Sequence, residues 1–339
     1  MDAAVAGIAR GTGQLADAEP GRRRSTVGDG MSVALTPTEE QRALAEVVRS
    51  FCRTHCPDEV WRSGAFPAEF WRGLASLGVL SLAVPGEGGG AGDIAAACAE
   101  LGRAAAPGPL AATVFAAHAL PPELSAQVAD GSCVASVGAP PLLPWAPVAG
   151  VFVETDGAGA WLAEAGSVEP VEVLGGEQWG RVALTRGQPL ERVETATALS
   201  DIAAAAYLSG AGRRLLDLAV EHARTRVQFG RPIGTFQAVA HPLVNAGLSL
   251  TSAEKLTTMA ALALDDEHPD GTALAAAARC SGGRAAVEAA EVAHQTFGAI
   301  GYSVEGPIGP LSQRIRHQAL RPGCADKVAA KYRRKGQER

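Results

Sequence analysis

Aromatic residues make up only 5% of the 339 positions, so the core of this protein cannot rest on stacked rings. No apolar run approaches the roughly 18 residues needed to span a bilayer, which excludes a membrane-spanning helix and leaves no membrane as a partner. Excess positive charge is also missing. The formal net charge of -6 argues against a polyanion-binding surface, and nucleic acid is not an expected partner. Residues 1–34, with Arg22, Arg23 and Arg24 and no apolar h-region, read as a disordered leader rather than a signal peptide, with Met31 as an alternative start. Six cysteines are dispersed along the chain without a secretory signal, which implies reduced thiols and a cytoplasmic location. Cys52, His55 and Cys56 cluster, yet no second ligand pair at zinc spacing follows. No metal site is expected, and the cluster reads as helix packing.

What is abundant is small. Glycine contributes 40 residues and alanine recurs throughout, a composition suited to helices packed at close approach, and 47% hydrophobic content over this length suits two or three packed regions. Thr36-Pro37-Thr38-Glu39 reads as a helix start, with Thr36 the cap, Pro37 in the first position and Glu39 closing a capping box over a helix of residues 37–56. Leu44, Val47, Val48 and Phe51 fall on one stripe of it. Further helices are expected over 68–77, over 94–103 with Asp93 as cap, and over 110–120, with residues 86–92 a glycine-rich loop. These make an N-terminal helical domain of residues 35–130.

From residue 131 to 196 the period shortens. Residues 151–155 and 160–163 flank Asp156-Gly157, a hairpin signal, and 171–174 and 182–185 add strand candidates, giving a reduced middle β domain of four to six strands. Long helices then return over 199–226, 236–265 and 272–297, followed by a shorter C-terminal pair, as a bundle over 197–339. The fold class is therefore α+β, mostly α: a helical domain, a small β domain and a four-helix-bundle-like C-terminal domain.

Two segments carry more than topology. The stretch from Arg224 to Ala238, containing Arg226-Val227-Gln228-Phe229-Gly230 and Ile233-Gly234-Thr235-Phe236-Gln237, closely resembles the signature of the acyl-CoA dehydrogenase family at the junction of its first two C-terminal helices. Gln295-Thr296-Phe297-Gly298-Ala299-Ile300-Gly301-Tyr302 resembles the family's second signature, with Ala299 in place of a glycine. Leu77-Gly78-Val79-Leu80, Val84-Pro85 with its glycine-rich loop, and Glu100-Leu101-Gly102-Arg103 resemble the N-terminal half in the same order.

Chemically, an Arg226 fork suits a pyrophosphate, a ring at Phe229 can cover an adenine or ribose, and Gln295 offers an amide. Three residues apart at a helix end, Arg226 and Phe229 are expected to project on one side. Read alone, the arginine is a solvated cap and the phenylalanine core. The resemblance implies that Arg226, Gln228, Phe229, Ile233, Phe236, Gln237, Gln295, Thr296, Gly298, Ala299 and Gly301 hold the adenosine and pyrophosphate half of FAD.

The sequence also leaves the family's pattern. Family enzymes remove an α-proton from an acyl-CoA thioester with a carboxylate while a β-hydride passes to the flavin. Where most members carry a glutamate, this chain has Leu320-Arg321-Pro322-Gly323-Cys324. Some members place the base near the start of the first long C-terminal helix, which corresponds to Ser200-Asp201. Asp201 is the one catalytic candidate, and its preferred reading is a helix cap. The family's flavin-facing loop has no counterpart in residues 134–152.

The resemblance implies an oxidoreductase and flavoprotein of lipid metabolism, similar to the degenerate subunit of actinobacterial heteromeric enzymes of steroid side-chain degradation. Its expected partners are an acyl-CoA and a second acyl-CoA dehydrogenase-like subunit in an α2β2 heterotetramer. A self-sufficient homomer using Asp201, and a scaffold or regulatory relative without turnover, are the alternatives.

Overall fold

The computed structural model describes residues 35–62, 64–87, 89–173, 177–303 and 306–319. The expected leader and residues 320–324 lie outside them. Six helices come first: α1 (Glu39–His55), α2 (Asp58–Arg62), α3 (Ala68–Ser76), α4 (Ala91–Arg103), α5 (Leu110–Ala119) and α6 (Pro122–Ala129). The cap of α1 is Thr38, not Thr36. Thr38 Oγ1 accepts from the Gln41 N–H at 3.2 Å while Gln41 Oε1 accepts from the Thr38 N–H at 3.0 Å, a complete capping box two residues further on. Of the expected stripe Val48 is buried and Leu44, Val47 and Phe51 are half-buried, with Cys52 buried alongside.

Asp93 does not cap α4 either, because the helix starts at Ala91 and Asp93 Oδ2 instead accepts the Gly90 N–H at 3.0 Å from inside the first turn. The cap comes from another helix. Asp265 accepts the N–H of Ala91 at 2.7 Å and of Gly92 at 3.1 Å.

The β layer is one five-stranded sheet of β1 (Ala135–Gly138), β2 (Leu142–Pro144), β3 (Val151–Thr155), β4 (Ala160–Val171) and β5 (Trp179–Pro189), in the order β1-β3-β4-β5-β2. β1 and β3 run parallel and the other neighbours antiparallel. The hairpin forms as expected between Thr155 and Ala160, with Asp156 Oδ1 accepting the Ala158 and Gly159 N–H groups at 3.0 Å. Val171 is not the start of a separate strand. It is the last residue of β4, paired with Trp179 of β5.

Three long helices follow: α7 (Val193–Thr225), α8 (Gln237–Asp265) and α9 (Gly271–Phe297), then α10 (Gly309–Ala319). α7 and α9 lie parallel, since Thr272 donates to Glu194 at 3.1 Å at one end and His222 stacks on Phe297, centroids 4.3 Å apart, at the other. Small residues set the spacing. A Cβ on Gly102 of α4 would come within 2.0 Å of the Tyr207 carbonyl oxygen, and one on Gly210 of α7 within 2.0 Å of that of Ala99, so the two backbones touch. This close approach is what a core built from alanine, with few aromatics, achieves. The cysteine cluster belongs to this packing: Cys52 and Cys56 are buried, and burial pushes their thiols up to about 12 and about 11.

Candidate functional site

α7 stops at Thr225 because the chain turns back on itself. Arg226 caps the helix, its N–H donating to the His222 carbonyl at 2.9 Å, and the next residues form a miniature hairpin. Its strands are β6 (Val227–Gln228) and β7 (Arg231–Pro232), with Val227 opposite Pro232 and Gln228 opposite Arg231. Phe229 and Gly230 at the tip have φ of 52° and 78°. Two successive positive φ values make the tight hairpin turn that asparagine and glycine favour. The expectation that Arg226 and Phe229 share a helix face therefore fails: both lie beyond the last helical turn, and the phenylalanine stands at the tip with its ring 92% exposed.

Behind the tip the contacts are aromatic and cationic. Phe236 meets Phe229 edge-on at 6.1 Å, and the Arg231 guanidinium lies 4.2 Å above the Phe236 ring. The Ile233 N–H donates to the Arg226 carbonyl at 2.8 Å, fixing the base of the hairpin. Gln237 opens α8 and is exposed.

The second segment arrives at the same place. Because α7 and α9 run parallel, Gln295 to Tyr302 emerge at the end of the bundle that carries the hairpin, joined to it by the His222–Phe297 stack. Gln295, Gly298 and Ala299 are exposed. Gly298 has φ 62° and ψ -137°, a conformation that L side chains avoid, and a Cβ there would meet nothing within 4 Å, so its backbone is bare on the outer side. Gly301 differs. It is buried, and a Cβ would press on Phe297 at 3.1 Å and Ile308 at 3.2 Å, which makes it a packing residue. Thr296 is also turned inward, its hydroxyl donating to Val292 at 2.8 Å.

Of the eleven residues expected to hold a cofactor, Arg226, Gln228, Phe229, Gln237, Gln295, Gly298 and Ala299 are exposed, Ile233, Phe236 and Thr296 are half-buried, and Gly301 is buried. They share one end of the bundle. His222 and His294 beside them are held below the usual histidine range, chiefly by burial and secondarily by Arg226 and Arg316 respectively. The sequence reading missed Arg231, which adds a second guanidinium, and His222, which joins the two segments. The pairing of β6 with β7 is what brings Arg231 in, and strands of two residues leave no periodic signal.

A guanidinium pair, an exposed amide, a bare backbone turn and a flat ring fit a dinucleotide laid across an open face, with phosphate against arginine and a base or sugar against Phe229. FAD fits the residues present. Seven of the eleven residues on this face are exposed.

Asp201 is elsewhere and is not a cap. α7 begins at Val193, with Arg192 in its N-cap position, so Asp201 sits two turns inside the helix and is half-buried. The helix starts early because residues 193–199 continue its pattern, with Ala196, Ala198 and Leu199 buried. Further along α7, a cavity lined by Ala203, Ala204, Tyr207 and Leu110 among others, but not by Asp201, measures about 20 Å³. That is room for about one water and not for a thioester. In residues 134–152, where a flavin-facing loop would be needed, Leu143, Trp145 and Ala146 are buried in the core.

Residues 38–122 match the family model of the acyl-CoA dehydrogenase N-terminal domain, and residues 187–325 that of the C-terminal domain. The chain is 32% identical over 291 residues to acyl-CoA dehydrogenase IpdE2 of Mycobacterium tuberculosis, covering 80% of this chain and 89% of that protein. It is 31% identical over 313 residues to acyl-CoA dehydrogenase FadE34 of the same organism, covering 80% of this chain and 44% of that one. Among solved structures, a variant of the Tcur3481-Tcur3483 steroid ACAD superposes with a TM-score of 0.78 at 22% identity, over 88% of this chain and 99% of that one. The ChsE4-ChsE5 complex from Mycobacterium tuberculosis does so with a TM-score of 0.75 at 23% identity, over 90% and 98%. No helix among the described residues is long and apolar enough to cross a membrane.

Proposed function

The chain belongs to the acyl-CoA dehydrogenase family, and from that premise we propose that it is one subunit of an FAD-dependent enzyme whose flavin site it shares with a second, family-related chain. In this reading Arg226 and Arg231 hold the FAD pyrophosphate, Phe229 covers the adenosine half, and Gln237, Gln295 and the Gly298 turn complete the wall. The partner supplies the catalytic carboxylate and most of the pocket around the flavin ring. FAD itself accepts the hydride equivalent when an acyl-CoA thioester is α,β-dehydrogenated.

The observation that carries the proposal is the contrast between the two ends of the chemistry. The adenosine side is assembled from two distant segments at one end of the bundle and lies open, whereas Asp201, the one carboxylate candidate, sits two turns inside the far end of α7 and is half-buried. An open wall whose carboxylate candidate lies far along α7 suits a subunit completed by another chain. The Tcur3481-Tcur3483 and ChsE4-ChsE5 structures bear paired names, the second as a complex and the first as a steroid ACAD, which supports a mixed assembly, α2β2 in the simplest case, and a bulky acyl-CoA as substrate.

Arg226→Ala in the assembled complex tests this. As a solvent-facing charge at a helix C-terminus, Arg226 is worth only about 0.3–1 kcal/mol of stability. A charge-assisted contact to pyrophosphate is worth about 1.5–3 kcal/mol, so FAD affinity should fall by about tenfold to over a hundredfold while the melting temperature of the apo-complex changes little. Unchanged FAD affinity would mean that the hairpin serves packing alone.

A further inference from the structure

A second, larger cavity lies away from the hairpin, where the C-terminal half of α1, α2, the end of α4, the middle of α7 and the start of α10 converge. Its volume is about 660 Å³, in the range of small-molecule sites. None of the residues proposed to meet FAD lines it.

Charge divides this cavity into a rim and a floor. Arg49, Arg53, Arg62, Arg103 and Arg214 line it against three carboxylates, Asp58, Glu100 and Asp217, so cations exceed anions by two. The pairing is uneven. Glu100 is taken by the Arg49 fork in two bonds of 2.9 Å, and Asp217 lies 3.5 Å from Arg103. Among the described residues Arg53 reaches only Glu46, at 3.6 Å, which Arg49 also holds and which does not line the cavity. Arg214 is exposed and makes no ion pair or hydrogen bond among the described residues. The floor is apolar: Cys52, Cys56, Ala105 and Leu311 are all buried, and burial keeps both thiols protonated and neutral. An inorganic anion would leave that floor wet, and a neutral hydrocarbon would leave the rim unmatched.

We propose that this cavity binds a small organic anion with an apolar body, its carboxylate or phosphate-ester head meeting Arg53 and Arg214 and its body lying on Cys52, Cys56, Ala105 and Leu311. The amphipathic lining selects both halves of such a ligand.

Calorimetric titration of the full-length chain with four probes decides it: decanoate, decyl phosphate, decanol and inorganic phosphate, each below its micellar concentration. Decanoate or decyl phosphate should bind at least about tenfold more tightly than decanol and than inorganic phosphate, and whichever binds better identifies the head group. The Arg53→Ala/Arg214→Ala double variant should lose about tenfold or more of that affinity with an unchanged circular dichroism spectrum, both side chains being exposed. Arg284→Ala, which removes an exposed arginine away from the cavity, should leave it unchanged. Equal binding of decanol, equal binding of inorganic phosphate, no binding of either amphiphile, or affinity indifferent to the double variant would each overturn the assignment.

Discussion

Phe229 carries a ring 92% exposed on a backbone with φ 52°, and both features are unfavourable in the chain by itself. A non-glycine residue held there is worth about 1–3 kcal/mol of strain, and water is a poor neighbour for the ring. Asparagine tolerates this conformation far better. Phe229→Asn should therefore raise the unfolding free energy of the chain by about 1 kcal/mol, read by urea titration, while weakening FAD binding in the complex. A variant that loses stability, or binds FAD as before, would show that the ring serves this chain's own fold. Asp201 gives the opposite kind of test. It lies two turns inside α7 and is half-buried, so Asp201→Asn should leave most turnover of the assembled enzyme intact. A loss of more than about a thousandfold with unchanged assembly is the size expected for an essential base, and it would restore Asp201 to that role.

Among elements, the caps show how far local sequence reaches. Thr36 with Glu39 and Thr38 with Gln41 both satisfy the capping-box spacing, and nothing local chooses between them; the fold uses the second pair. The start of α4 was not legible at all, because its cap is a side chain 174 residues away. Asp265 joins the end of α8 to the start of α4, and its removal leaves two N–H groups without their carboxylate. Asp265→Ala should cost about 1 kcal/mol, the usual size for a lost N-cap, and lower the calorimetric melting temperature by a few degrees. No change would mean that water replaces the carboxylate at no cost. The long helices were legible because their buried alanines recur over seven or more turns. The five-residue α2 and the two-residue strands of the Phe229 hairpin carry no period to read, so the turn that places Phe229 could not be derived from spacing.

For the molecule as a whole, the sequence revealed the order of helices, sheet and bundle, and its two signatures pointed to the residues that meet at one end of α7 and α9. It could not show that Gly301 is packed against Phe297 and Ile308 while Gly298 is bare, because a glycine needed for close packing and one needed for cofactor approach are written alike. Nor could it show the arginine-lined cavity, whose cations come from four separate helices. In the shared-site proposal the exposed end of α7 and α9 is one open wall of a site. The most direct test is the flavin content of the purified protein, measured by absorbance per mole of chain, alone and after co-expression with a family member that carries the ring loop and a catalytic glutamate. The shared-site account predicts little FAD on the chain alone and near-stoichiometric FAD per site in the mixed complex, released when Arg226 is replaced by alanine. Stoichiometric FAD on the chain by itself would contradict it.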